Sequence, residues 1–144
     1  MALNTSPIYS GVGDIQWPTT PISASNASYD ATAVGGVSII TTASPSGSFI
    51  QRIRFKASGT TVATVARVFI NNGLNPTGSG NNILFDEITL PLTTATTTAA
   101  TAVYELPMNI ALPPNYKILA TLGTAQTTTG GWYISAVGGS YVTT

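Results

Sequence analysis

The sequence predicts an all-β chain folded as a single antiparallel β-sandwich of about eight strands. Three observations carry this. Threonine is the most frequent residue, and with Val, Ile, Ser, Gly and Ala it dominates the chain; β-branched side chains fit a pleated, half-buried surface. Short alternating apolar and polar runs recur, separated by Gly, Pro, Asn and Ser turns at a spacing of roughly 10–15 residues. No segment carries the 3.6-residue apolar period of a packed helix. Two half-apolar sheets hide their apolar faces by stacking, so a jelly roll or related Greek key is the expected topology.

In chain order, residues 1–28 hold Pro7, Pro18 and Pro21 with little periodicity. They read as an extended N-terminal arm, with residues 29–144 forming the sandwich domain. Ile15 and Trp17 stand on one face of a short extended piece stopped by Pro18, and are the arm's anchors against its own domain or a neighbour's. Val37 to Thr42 is β-branched almost throughout and ends in the turn Ser44-Pro45-Ser46-Gly47. From Phe49 to Ala57 the pattern alternates: Phe49, Ile53, Phe55 and Ala57 on one side, with Gln51 the polar exception, and Ile50, Arg52, Arg54 and Lys56 on the other. Thr60 to Ile70 places Val62, Thr64, Ala66, Val68 and Ile70 together. An Asn/Gly/Pro loop, Asn71 to Asn82, leads to a strand from Ile83 to Leu90, closed by Pro91. The Thr/Ala run of residues 93–102 reads as a polar loop or the start of the next strand. Val103 to Leu112 is extended, and Pro107 within it marks a sheet edge or a bulge. Pro113-Pro114-Asn115 turns the chain into Tyr116 to Leu122, and Gly130-Gly131 opens a last strand from Trp132 to Val137. The expected core is Ile39, Phe49, Ile53, Phe55, Val62, Val68, Ile88, Leu106, Ile118, Leu122, Trp132 and Ile134.

Composition narrows the function. The 144 residues include five Lys+Arg, five Asp+Glu, no His and no Cys, so 7% are charged, against roughly a quarter in an average domain. Imidazole general bases, thiolate nucleophiles and the usual nitrogen and sulfur metal ligands are therefore missing; no enzyme activity, cofactor or metal is expected. Net charge is zero and the pI about 6.0, which gives no footprint for nucleic acid or an anionic membrane. No run approaches the ~20 apolar residues of a membrane-spanning helix. The opening Met1 to Pro7 has no basic region ahead of an apolar run, so no secretion signal is expected. At 43% hydrophobic residues the chain is too apolar for disorder. So little surface charge suits a protein covered by neighbours, a structural assembly protein.

Individual motifs agree. Arg52, Arg54 and Lys56 share one face of a strand about 7 Å apart in turn, a strip suited to an acidic surface on a partner. Asp86 and Glu87 are adjacent on a strand and point to opposite faces, so they cannot form a catalytic carboxylate pair; ion pairing is their expected role. Gly11-Val12-Gly13 and Gly78-Ser79-Gly80 do not join a strand to a helix and are not phosphate loops. The sequons at Asn4 and Asn26 are chance matches without a signal peptide. Most aromatics fall on inward positions; Tyr133 and Tyr141 are the ones expected at the surface.

The segment Glu105 to Ile118, with its Leu112-Pro113-Pro114-Asn115-Tyr116 turn, carries a resemblance. So do the strand Ile50-Gln51-Arg52-Ile53-Arg54-Phe55-Lys56-Ala57 and the closing Trp132 to Tyr141. Together, over roughly residues 48–141, the chain resembles small all-β virion proteins of tailed bacteriophages. The resemblance implies a capsid decoration (cement) protein on the exterior of the virion, made in the host cytoplasm. It would be homotrimeric and would bridge subunits of the major capsid protein. Ile15 and Trp17 would bury in a neighbour, while Arg52, Arg54 and Lys56 meet acidic shell residues. The alternative is a head-fibre or tail accessory protein that binds host-surface carbohydrate.

Overall fold

The computed structural model describes residues 10–33, 35–127 and 129–141. Eight strands follow along the chain: β1 (Ser10–Gln16), β2 (Ser38–Thr42), β3 (Ser48–Ala57), β4 (Thr64–Asn71), β5 (Asn82–Leu90), β6 (Val103–Leu112), β7 (Lys117–Leu122) and β8 (Trp132–Tyr141). They form two four-stranded antiparallel sheets, ordered β1-β8-β3-β6 and β2-β7-β4-β5. The pairs β4/β5, β3/β6, β2/β7 and β1/β8 nest inside one another like one long hairpin. Rolled over, that hairpin distributes its strand pairs alternately between two stacked sheets, which is the jelly roll.

The inward faces meet in one core. Ile53, Phe55, Val68, Leu106, Ile118, Leu122, Trp132 and Ile134 are buried in it as the alternation predicts, and Ile88 packs against it half-buried. Trp132 is fully enclosed, with the Tyr104 ring edge-on at 5.9 Å.

Three expected core residues lie elsewhere, two of them because of bulges. Ile40 is the extra residue of a register shift against β7; it turns inward, and Ile39 is left 44% exposed. In β3 the register shifts between Ile50 and Arg52 against both neighbouring strands, so Ile50 and Ile53 both face the core and Gln51 faces solvent. Phe49 is thereby moved to the outer side, half-buried. A bulge adds one residue to a strand and inverts the alternation beyond it. Val62 lies ahead of β4, where its N–H donates to Gln126 Oε1 at 3.0 Å.

The segment expected as an arm, residues 1–28, is part of the sandwich from Ser10 on. Residues 1–9, with the sequon at Asn4, lie outside the described residues. Without β1 the free side of β8 would be a row of unpaired N–H and C=O groups; β1 pairs it from Ser10 opposite Tyr141 to Gln16 opposite Ala136. Farther on, Ile22 and Trp132 exchange two backbone hydrogen bonds of 2.9 Å, and Asn26 N–H donates to the Leu122 carbonyl at 2.7 Å. Pro107 lies in β6, which is an edge strand with a register shift beside it, so both readings of that proline hold.

Candidate docking surface

The two sheets treat their outer faces differently. On the sheet of β2, β7, β4 and β5 the chain covers its own face. Ala31, Phe69 and Leu119 form a second cluster without solvent exposure, with Val37 and Leu84 packed against it. Asn26 holds the covering segment in shape: its Nδ2 donates to the Ala33 and Gly35 carbonyls at 2.9 and 3.0 Å. Gly36, at φ 65°, leaves no room for a Cβ beside the Ser25 carbonyl. Arg67 reaches out under this cover. Its Nε lies 2.8 Å from Glu87 Oε1 and its guanidinium stacks 4.2 Å from the centre of the Tyr29 ring. Asp30 tightens the same segment, accepting hydrogen bonds from the Ser28 hydroxyl and from the Thr32 hydroxyl and N–H. These bonds, the Ser28 hydroxyl first, lower its carboxyl from 3.8 to about 2.

No chain segment among the described residues crosses the outer face of the other sheet in this way. Strand register sets its residues in rows. Gly13, Gly139, Phe49 and Ala111 make one row, and Ile15, Val137, Arg52 and Pro107 the next. Ser135, Arg54 and Glu105 follow, then Tyr133, Lys56 and Val103. Thus one end of the face is uncharged, with Phe49 among small residues, and the other carries bases and exposed Tyr133 and Val103. Arg54 Nε lies 3.0 Å from Glu105 Oε1, and Arg52 Nε 3.4 Å from the same oxygen. The Lys56 ammonium donates to the Thr101 carbonyl. Three bases against one acid give this face a surplus of positive charge.

Of the residues singled out in the sequence, Ile15, Arg52, Arg54 and Lys56 therefore share one face. Trp17 stands beyond the end of β1, at the rim where β1 and β2 are the facing edge strands. Ile15 and Trp17 are 59% and 62% exposed, and with Ile39, Ile40 and Thr41 they line an open groove of about 320 Å³. Gln16 closes its floor: the side-chain amide donates to the Thr42 carbonyl at 3.5 Å and accepts from the Thr42 N–H at 3.1 Å. Sequence reasoning did not find Val103 or Glu105 as members of this surface. Their places follow from register across strands, which a period along one strand does not contain.

Asp86 lies opposite Val68 and Glu87 opposite Arg67, on the two sides of β5, as adjacency requires. Among the described residues no group of three or more carboxylates gathers to hold a metal ion, and no helix there is long and apolar enough to cross a membrane. Comparison with protein families, curated proteins and solved structures finds no match for this chain. Its surface has to speak for its role.

Proposed function

We propose that this chain is a non-enzymatic structural protein of a virion that decorates and cements a capsid. It would bridge subunits of the major capsid protein and assemble with copies of itself as a homotrimer. The observation that carries this reading is the contrast between a self-covered face and an open one bearing Ile15, Tyr133, Val103 and the Arg52/Arg54/Lys56 strip, with Trp17 at its rim. Burying one large apolar side chain contributes about 1.5–3 kcal/mol, whereas a rim ion pair contributes at most about 1 kcal/mol. Ile15 and Trp17 are thus the anchors, and the cationic strip sets orientation by meeting carboxylates on the neighbour. Repeated over many copies, modest contacts stabilise a shell through avidity. Jelly rolls occur in capsid and lectin domains alike, so the fold is compatible with the role and does not assign it.

Electron cryomicroscopy of the virion tests the location directly. Shell-binding assays with Ile15→Ser and Trp17→Ala test the mechanism, and both variants should bind far more weakly than the unaltered chain. Unchanged binding by both would remove the docking reading. Deleting residues 1–28 is a poorer test, because it strips β1 and the Asn26 cover along with Trp17. Exposed Tyr133 and Trp17 also support a carbohydrate platform as a second reading; saturable binding to a surface glycan, lost in Tyr133→Ala, would favour it.

A further inference from the structure

All ten charged side chains lie within the described residues, and their distribution is segregated. The open face carries Arg52, Arg54 and Lys56 against Glu105, which leaves four acids against two bases for the rest of a net-neutral chain. Those two bases are engaged: Arg67 with Glu87 and Tyr29, and Lys117 with the carbonyls of Gly73 and Leu74. Three of the four acids are engaged as well, Asp14 with Gln16 and Ser140, Asp30 with Ser28 and Thr32, and Glu87 with Arg67. Asp86 has no partner among the described residues but the backbone N–H of Glu87. It sits exposed on edge strand β5, beside Ile83 and Phe85, which are 65% and 39% exposed. On the open face, Arg54 spends only its Nε on Glu105, and Arg52 adds one bond to Gln51. Both guanidinium forks retain donors for another carboxylate.

We infer that the open face receives the β5 rim of a second copy of this chain, with Asp86 seated on the Arg52/Arg54 pair and Ile83 and Phe85 packed against Val103 and Tyr133. The cationic strip then serves the adjacent copy, and Ile15 and Trp17 serve the shell. A carboxylate between two guanidiniums supplies orientation and rejects misdocked copies, while the apolar contacts supply affinity. Because the two surfaces differ, each pairing leaves one of each kind unused, and association continues until a ring closes.

The inference rests on the assembly reading above, but its assay uses purified chain with no shell present. Sedimentation velocity should find the unaltered chain associated, more weakly as salt rises. Asp86→Lys alone and Arg54→Glu alone should each weaken association at least about tenfold, since like charges then face each other. Mixing the two variants should restore association between unlike copies, because the lysine introduced on β5 of one copy then meets the glutamate introduced on β3 of the other while the reverse contact keeps Asp86 on Arg54; in a closed trimer two of the three contacts are restored. Circular dichroism confirms that each variant keeps its strands, and Arg54→Gln serves in place of Arg54→Glu for the single-variant measurement if that variant is unfolded, the mixing experiment then using Arg52→Glu. An unaltered chain that stays monomeric, or an Asp86→Lys variant that associates like it, overturns the inference and leaves shell docking through Trp17 untouched. A mixture that stays dissociated overturns it as well.

Discussion

At the scale of single residues, Asp30 and Gly138 show how much rests on atoms that no alternation pattern reveals. Asp30 is ionised more readily in the fold than in the unfolded chain, its carboxyl falling from 3.8 to about 2. Its contribution is therefore complete above about pH 4 and is lost as pH falls toward 2, where the native carboxylate also takes up its proton. In Asp30→Asn that component should vanish, so acid titration of thermal stability should give a shallower slope than the unaltered chain between those limits. Gly138 has no positive φ to explain it; a Cβ there would strike the Phe49 carbonyl oxygen on the neighbouring strand. Two backbones cannot yield as a side-chain tip would, so Gly138→Ala should cost about 1–3 kcal/mol, the range for overpacking. Calorimetry should register that as a fall of several degrees in Tm. The sequence marks Gly138-Gly139 only as the end of a strand, because the contact that demands glycine lies 89 positions earlier in the chain.

At the scale of elements, every edge strand is blunted. β1 carries an extra residue at Gly11, β2 at Ile40 and β5 at Phe85, each against its only strand partner among the described residues, and β6 is shifted between Pro107 and Ile110. Bulges, Pro107 and the charge of Asp86 on the core side of β5 are all devices that prevent edge-to-edge pairing. Gln16 belongs with them, since its amide occupies the free N–H and C=O of Thr42. Gln16→Ala should destabilise the chain by about 1 kcal/mol and raise light scattering on storage. Unchanged unfolding and scattering would mean that the clasp is incidental. Here the sequence is partly legible. Strand type, the seven strands from β2 to β8, the Leu112 to Tyr116 turn and the place of Pro107 at an edge or bulge all follow from local chemistry. The bulges do not, although Gln51, a polar residue in an apolar set, is their one visible trace. The strand at residues 10–16 is hidden because Gly11-Val12-Gly13-Asp14 has no alternation to display, and only the unpaired side of β8 calls for it.

At the scale of the whole molecule, the sandwich is thicker on one side than on the other. β4 and β7 are central strands lying between the main core and the Phe69/Leu119 cluster, whereas β3 and β8 have a core on one side only. Amide exchange follows local opening, so the amides of β4 and β7 should be the last to exchange, and Ala31→Ser should speed theirs before those of β3. Uniform protection across both sheets would contradict this asymmetry. Four of the five partner-binding residues chosen from sequence fall on the thinner side, and their convergence from β1 and β3 is not legible in the sequence. It depends on β8 lying between those strands, and the order β1-β8-β3 is a property of the closed roll.

The nested pairing also governs how the chain finds this state. β1 and β8 are the pair most distant in sequence, yet Ser10 lies opposite Tyr141. Their meeting closes the largest loop in the molecule and carries the largest entropic cost of all the pairings. A circular permutant, with its ends joined by a short linker and the chain reopened in the exposed loop of residues 94–100, would keep every strand in place while turning β8 and β1 into successive arms of a hairpin. The last contact to form would become one of the first. Such a chain should refold faster than the parent while reaching the same sandwich, since folding rate follows the sequence separation of contacts.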